Sequence, residues 1–296
     1  MKVVHFTVPV AEEGAVVIQE DILPYFYNYL HRHKEAQVTL IIKGEGTLIA
    51  GNYTQPFKAG DVYVIGANQP HMFKGDARYF ENLQEKNIHA IHIFFDHEHV
   101  LQGLFSLKEM EPVRKWLPLT ANSLQLPAAH AEKIGEEIRK ISQLAGAERL
   151  LAFVSMLVYF SKQVKEWKSL STGFSRYAYS DSEGLRMNDI YQYTLEHYAE
   201  NISLGQIAAV AHLTTYAFCK YFKKHTRKTY LEFLNEIRIN VACKKIINGD
   251  FDSIAAVAYA TGYNNPITFN RVFRKVTGMS PTSYARKYRF EEALIG

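Results

Sequence analysis

The last third of this chain is written twice. From Leu204, the stretch LGQIAAVAHLTTYAFCKYFKKHTRKTYLEF realigns on IAAVAYATGYNNPITFNRVFRKVTGMSPTSY from Ile254, with an offset of fifty residues and one extra residue near Pro266. In that pairing Ala208 meets Ala258, Leu213 meets Tyr263, Phe218 meets Phe269, Lys220 meets Arg271, Phe222 meets Phe273, and Lys223-Lys224 meets Arg274-Lys275. Each copy, at about 203–223 and 253–275, reads as two short helices around a tight bend.

Periodicity supplies the reason. Ser203 can cap a helix with Gln206 three residues on, and Leu204, Ile207, Ala208 and Ala211 share one small apolar face. Thr214 or Thr215 then caps a second helix, in which Phe218 and Phe222 lie inward at i, i+4. In the second copy Ser253 is the cap, Gly262 sits at a turn that favours a left-handed backbone, and Phe269 and Phe273 repeat the inward pair. Each copy is thus a helix-turn-helix. Between them, Thr229 to Asn248 reads as one helix with Leu231, Leu234, Ile237, Val241, Lys244 and Ile247 on a mostly apolar stripe, ended by Asn248-Gly249.

Charge points the same way. From Arg186 to Phe290 there are 15 Lys or Arg against 7 Asp or Glu, whereas the preceding 185 residues hold 19 against 21, so a total of +4 hides a polarised chain. Lys220, Lys223, Lys224, Arg271, Arg274 and Lys275 fall on the outward faces of the second helices, where phosphates are neutralised and base edges read in a major groove.

These residues resemble the AraC-type bacterial transcription regulators. The match covers roughly Met187 to Tyr288, and Ile254-Ala255, Ala258, Thr261-Gly262-Tyr263, Phe269-Asn270-Arg271, Phe273-Arg274, Thr277-Gly278-Met279-Ser280-Pro281 and Tyr284 sit close to the family signature. The first copy departs from it at His212, where a turn glycine is usual, and at Arg227, which occupies the place of Gly278; both bear on the tightness of the first bend. The resemblance implies that the connecting helix holds two recognition helices for successive major grooves, about 34 Å apart. It puts base reading on Tyr216, Cys219 and Lys220 in the first module and on Ile267, Asn270 and Arg271 in the second. Arg271 and Asn270 suit hydrogen bonds to base edges, and Ile267 suits a thymine methyl. Thr215, Lys223, Asn265, Thr268 and Arg274 are better placed for phosphate.

At 296 residues the chain can hold two domains, each with its own core, and 47% hydrophobic composition is ordinary for a globular protein. No stretch is apolar enough to span a membrane, and MKVVHFTVPV reads as a first strand rather than a signal peptide, so a cytoplasmic protein is expected. Cys219 and Cys243 stand in no metal or redox spacing, which fits a reducing compartment. Between Ser169 and Gly184, SLSTGFSRYAYSDSEG lacks a sustained apolar period, and 169–185 is read as a linker between a domain at 1–168 and a DNA-binding domain at 186–290.

Upstream, Pro127 to Gln143 carries Ile134, Ile138 and Ile141 on one helical face, and Ala147 to Trp167 carries Leu150, Leu151, Val154, Leu157, Val158 and Phe160 on a broader one. Such helices complete a core or form a dimer interface, and the resemblance favours a homodimer. Residues 1 to about 96 read as short strands, among them Gln37–Ile42, Gly46–Ala50, Asp61–Ile65 and Ile88–Phe95, bounded by Lys43-Gly44-Glu45-Gly46, Gly51-Asn52 and Ala59-Gly60. Their spacing suggests a barrel or jelly roll, so the chain is α+β with an all-α second domain.

The barrel resembles a cupin: His31-x-His33-x3-Gln37-x6-Gly44, then Gly60 with His71 eleven residues on, with Gln37 in place of the acidic ligand and Gly75 in place of the final asparagine. In metal-dependent cupins, that resemblance implies, His31, His33 and His71 hold a divalent ion. A neutral amide at Gln37 offsets less of a dication's charge. The competing readings are that these residues hydrogen-bond a small effector in the barrel mouth, or that they are structural histidines near its rim. His89, His92, His97 and His99 are read as structural or exposed. Tyr25, Phe26, Tyr27, Tyr29 and Phe73 could stack on a sugar-like ring or belong to the core.

The expected function is a sequence-specific DNA-binding transcription regulator without catalytic activity, an activator by resemblance, with RNA polymerase as a further partner. A small-molecule effector in the barrel would change how the domains are presented to DNA. The alternative is a metal-dependent cupin enzyme fused to a DNA-binding domain.

Overall fold

The computed structural model describes residues 6–8, 10, 14–76, 79, 85–171, 180–249 and 251–292. The chain divides into two compact units, Met1–Leu185 and Arg186–Gly296. The first unit opens with β1 (Val16–Leu23), β2 (Ala36–Lys43), β3 (Gly46–Ala50), β4 (Tyr53–Phe57), β5 (Val62–Ile65), β6 (His71–Gly75) and β7 (Ile88–Phe95). Helices α1 (Gln102–Phe105) and α2 (Glu111–Trp116), strand β8 (Leu124–Gln125), helices α3 (Ala131–Gln143) and α4 (Gly146–Gln163), and strand β9 (Lys168–Ser169) follow. Among the described residues one antiparallel sheet runs β1-β7-β2-β5-β8-β9 and the other β4-β3-β6.

Strand alternation decides which face each residue serves. Val38 and Leu40 of β2 and Ile91, Ile93 and Phe95 of β7 pack with Ile134, Ile138 and Ile141 of α3 and Phe153, Leu157 and Phe160 of α4. Ile41, Ile88 and Ala90 face the other way, against Leu48, Ala50, Phe57 and Phe73 of the smaller sheet. At about 1.5–3 kcal/mol for each fully buried apolar side chain, this packing holds α3 and α4 on the sheet without side-chain caps.

The helical faces differ from expectation at Leu151, which is 67% exposed, because α4 turns Phe153, Met156, Leu157 and Phe160 inward instead. Much of the expected N-terminal strand lies outside the described residues; Thr7 forms an isolated bridge with Arg32. The expected linker is ordered at both ends, since Lys168–Ser169 pairs with β8, Leu170 is buried in the barrel core, and a helix starts at Asp181. Residues 172–179 lie outside the described set.

The division between the units falls within α5 (Asp181–His197), and α6 (Leu204–Val210), α7 (Thr215–Thr226), α8 (Tyr230–Asn248), α9 (Ile254–Ala260), α10 (Pro266–Thr277) and α11 (Pro281–Glu292) follow. The duplication survives in detail. Ser203 and Ser253 accept the backbone N–H groups of Gln206 and Ala256, and α7 and α10 are each 12 residues long. Thr214, not Thr215, caps α7, while Asn265 caps α10 through Oδ1. The repeat extends further than two helices: Thr226 and Thr277 each donate to the carbonyl four residues back and the one two residues on, leading into α8 and α11.

Phe218, Phe222, Phe269 and Phe273 are fully buried, with Tyr230 and Phe233 against the first pair and Tyr263 and Tyr284 against the second. The stripe expected along α8 is corrected in the same way. Leu231 is 62% exposed, and the buried set Phe233, Leu234, Ile237, Ile239, Ala242, Cys243 and Ile246 wraps most of the circumference. A connector packed by a module on each side has no single solvent face.

Candidate effector pocket and nucleic-acid interface

The three histidines named by the motif come together. His31 and His71 face each other in an antiparallel bridge, with backbone hydrogen bonds of 3.1 and 2.8 Å in the two directions. His33, two residues on, points the same way, and one ring nitrogen of each of the three lies within 4.8 Å of the others. Each Nδ1 is bonded to a main-chain carbonyl: His31 to Tyr29 at 2.9 Å, His33 to Glu35 at 2.8 Å and His71 to Gln69 at 2.9 Å. A carbonyl only accepts, so each Nδ1 carries the proton and each Nε2 keeps a lone pair.

These imidazoles line a cavity of about 390 Å³. Burial, followed by the charge of His33, holds His31 down to about 3; burial pushes His71 well below and His33 below the usual histidine range, with neighbouring histidines adding to the shift. At neutral pH the rings are uncharged acceptors.

Gln37 belongs to the same group. Its Oε1 lies 2.9 Å from His33 Nε2, while its Nε2 donates to Thr39 Oγ1 and to His92 Nδ1, both at 2.7 Å. His92, expected to be structural, is a pocket residue, and its Nε2 reaches Asp21 Oδ2 at 3.4 Å. Burial alone would raise the Asp21 carboxyl, but the His92 imidazole beside it, with the Gln19 amide at 3.0 Å, outweighs it and holds the group below the usual carboxylate range. The signal for His92 was strand parity: Ile88, Ala90, His92 and Phe94 share one face of β7. The contribution of Gln19 and Asp21 needed the β1–β7 register, which pairs Gln19 with His92.

The other histidines behave as expected. His89 meets Glu20 at 2.6 Å, His99 meets Asp96 at 3.0 Å, and His97 lies 3.8 Å from Glu98. Of the aromatic residues, Phe26, Tyr27 and Phe73 line the cavity with Phe94; Tyr25 and Tyr29 do not, and the Tyr29 ring packs on Tyr27. No lysine or arginine is among the described residues lining it.

In the second unit, Tyr216, Cys219, Lys220 and Lys223 lie at i, i+3, i+4 and i+7 of α7, and Ile267, Asn270, Arg271 and Arg274 repeat that spacing on α10. All eight are exposed, on the side opposite the buried phenylalanines, as are Thr215, Asn265 and Thr268. Tyr216 is 81% and Ile267 78% exposed, at equivalent positions of the repeat. Lys220, Lys223, Arg271 and Arg274 form no ion pair with any described residue, whereas Lys275 lies 3.8 Å from Glu232. Asn265 uses Oδ1 in its own helix cap, which leaves its amide N–H groups free of that cap for a ligand.

A helix-turn-helix domain family matches residues 207–287, and a cupin domain family matches residues 22–81. The chain is 24% identical over 263 residues to the HTH-type transcriptional regulator YdeC of Bacillus subtilis (strain 168), covering 88% of this chain and 87% of that one. It is 21% identical over 259 residues to the HTH-type transcriptional activator RhaS of Pectobacterium carotovorum, covering 86% of each. A crystal structure of ToxT from Vibrio cholerae is similar over 92% of this chain and 97% of that one, at 16% identity and a TM-score of 0.35. No described helix is long and apolar enough to cross a membrane. Both helix-turn-helix copies are folded and a cupin domain precedes them, so the chain shares the domain arrangement expected of AraC-type transcription regulators and is similar over most of its length to helix-turn-helix transcription regulators.

Proposed function

We propose that the chain is an effector-responsive activator that reads one DNA duplex with both helix-turn-helix modules. The observation that carries this reading is the repeated exposed face of α7 and α10, with a bare tyrosine and a bare isoleucine at matching positions. A large apolar side chain left in water at the same place in two copies suits a surface that is covered when its ligand binds. Lys220, Asn270 and Arg271 read base edges, Tyr216 and Ile267 make apolar base contacts, and Lys223, Arg274, Thr268 and the Asn265 amide hold phosphates. Thr215 sits at the N-terminus of α7, where a phosphate is favoured, and Cys219 lies on the reading face. The domains fall at 1–168 and 186–290, and the protein works as a homodimer beside the bacterial chromosome in the cytoplasm. Activation is inferred from the similarity to the transcriptional activator RhaS, and contact with RNA polymerase is proposed along with it.

The effector occupies the pocket around His31, His33, Gln37 and His71. Lone pairs, a carboxylate and aromatic rings suit a small, neutral, hydroxyl-bearing molecule, sugar-like in character, and give no anchor to an anion. Selecting fragments of the source genome on full-length protein, followed by footprinting, tests the DNA reading: two protected segments about one helical turn apart on one face support it, and a single short segment contradicts it. A thermal-shift screen over neutral sugars and polyols tests the effector; no hit across the panel would favour a regulator that ignores small molecules.

A divalent cation is the second reading of the same pocket, favoured by three clustered imidazoles whose Nδ1 atoms are each held by a carbonyl. A ring nitrogen of each lies within 4.8 Å of the others, and hydrogen bonds from Nδ1 to carbonyls are how imidazole ligands are commonly oriented. His31, His33 and His71 would hold the ion, with Gln37 Oε1 as a fourth oxygen donor. Bound there, it would supply a Lewis-acidic charge that attracts a hydroxyl or carboxylate of an effector. Metal analysis of protein purified without added ions tests this: near-stoichiometric metal that is lost in His33→Ala supports it, and metal-free protein contradicts it.

A further inference from the structure

We infer that Asp21 and His92 form a positioning relay that locks the Gln37 amide with its oxygen toward the histidine triad, completing a four-acceptor site for a divalent cation. The inference rests on the cation reading of the pocket. It assigns roles to two residues that lie outside the histidine motif.

The argument is one of proton placement. Asp21 is an acceptor, so His92 Nε2, 3.4 Å from its Oδ2, carries the ring proton. His92 Nδ1 must then accept, and the groups facing it are the Gln37 amide nitrogen at 2.7 Å, a donor only, and the Thr39 hydroxyl at 2.9 Å. The second amide proton goes to Thr39 Oγ1, also at 2.7 Å. With both protons committed on that side, Gln37 Oε1 can only face His33 Nε2, 2.9 Å away.

His33 Nδ1 already donates to the Glu35 carbonyl, so the two atoms facing each other across 2.9 Å are both acceptors. Gln37 and His33 are both 3% exposed, so the two acceptors are held together away from bulk solvent, on the wall of the cavity. A positive centre shared by both atoms turns the repulsion into binding. The relay also answers the loss of a carboxylate at position 37. Asp21 carries a negative charge in the same pocket, one imidazole removed from the amide, and no described cationic side chain lines the cavity to cancel it.

The assignment is tested on the full-length protein with Zn(II), titrated by calorimetry into metal-free samples. His92→Phe keeps an aromatic ring and removes the acceptor, so its Zn(II) Kd is expected to rise about 10–100-fold. Gln37→Glu presents an oxygen in either rotamer. In that background His92→Phe is therefore expected to cost less than about threefold, which a double-mutant cycle reads as coupling. Long-range 1H–15N spectra of the metal-free wild type read the tautomer without any substitution and are expected to place the His92 proton on Nε2. A proton on Nδ1, or an equal cost of His92→Phe in both backgrounds, would overturn the relay while leaving the cation reading intact. Wild-type protein that takes up no Zn(II) would overturn both.

Discussion

Arg238, midway along α8, lies over the ring of Tyr263 in the second turn, with its guanidinium carbon 5.4 Å from the ring centroid. The same side chain donates to the carbonyls of Tyr198 at 2.7 Å and Glu200 at 2.8 Å, and Tyr263 in turn donates to Asn235 on α8 at 2.9 Å. Gly262 completes the junction: a Cβ there would come within 2.8 Å of the Ala199 carbonyl oxygen and 2.9 Å of that of Tyr198. The connector, the segment after α5 and the second bend are therefore one packed joint, which is how a single helix can hold a module rigidly.

Arg238→Met would leave two carbonyls without their charged donor, with an expected loss of about 2–4 kcal/mol in unfolding free energy of the second unit. Arg238→Lys should recover little of it, because an ammonium cannot span both carbonyls and lie flat on the ring. Urea unfolding checks this; a loss below about 1 kcal/mol would mean that the joint is held by other contacts.

The two copies differ in how they close. Gly262 and Gly278 have φ of 84° and 80°, whereas the first copy places His212 at 54° and Arg227 at 60°. A left-handed conformation costs an L-residue about 1–2 kcal/mol, partly offset by the roughly 0.4–1 kcal/mol that glycine loses through a freer unfolded chain. Arg227→Gly is expected to stabilise by about 0.5–1 kcal/mol, and Gly278→Ala, whose Cβ would meet nothing within 4 Å, to destabilise by a similar amount. Chemical denaturation of the two variants decides the sign.

The histidine triad, with His33 and His71 buried and His31 half-buried, predicts an acid-sensitive first unit. His31 is held from 6.5 down to about 3 in the folded state, so between those values the unfolded chain binds the extra proton. Its contribution is fully present above the unfolded value and falls as pH drops, by about 2 kcal/mol for His31 alone at pH 5. Metal-free protein should unfold at lower urea at pH 5 than at pH 7.5, and His31→Gln should flatten that slope. Equal midpoints at the two pH values would contradict the burial of a neutral imidazole.

Much of this was readable from local pattern. Period-2 runs marked Gln37–Ile42 and Ile88–Phe95, and the Phe218/Phe222 and Phe269/Phe273 pairs marked the inward faces of α7 and α10. The histidine motif named His31, His33 and His71, which an isolated antiparallel bridge between His31 and His71 brings together. What escaped depends on partners distant in sequence. His92 and Asp21 enter the pocket through the pairing of β1 with β7, and that register is fixed only once the sheet closes. The stripe assigned to α8 failed because amphipathic reasoning assumes one wet face, and this helix is packed by both modules. The departures at His212 and Arg227 left no mark on the element lengths, since their strain is carried by the surrounding packing.

The proposed DNA-reading face is most directly tested by binding of full-length Arg271→Ala and Lys223→Ala to a fragment selected from the source genome and to random duplex of equal length, across a salt series. Arg271→Ala is expected to weaken the selected site by about 1–3 kcal/mol and to relax preference at one or two base positions, with little change on random DNA; Lys223→Ala should weaken both alike and reduce the salt slope by about one. Equal loss on both duplexes for Arg271→Ala, or no loss on either, would contradict base reading by the repeated face.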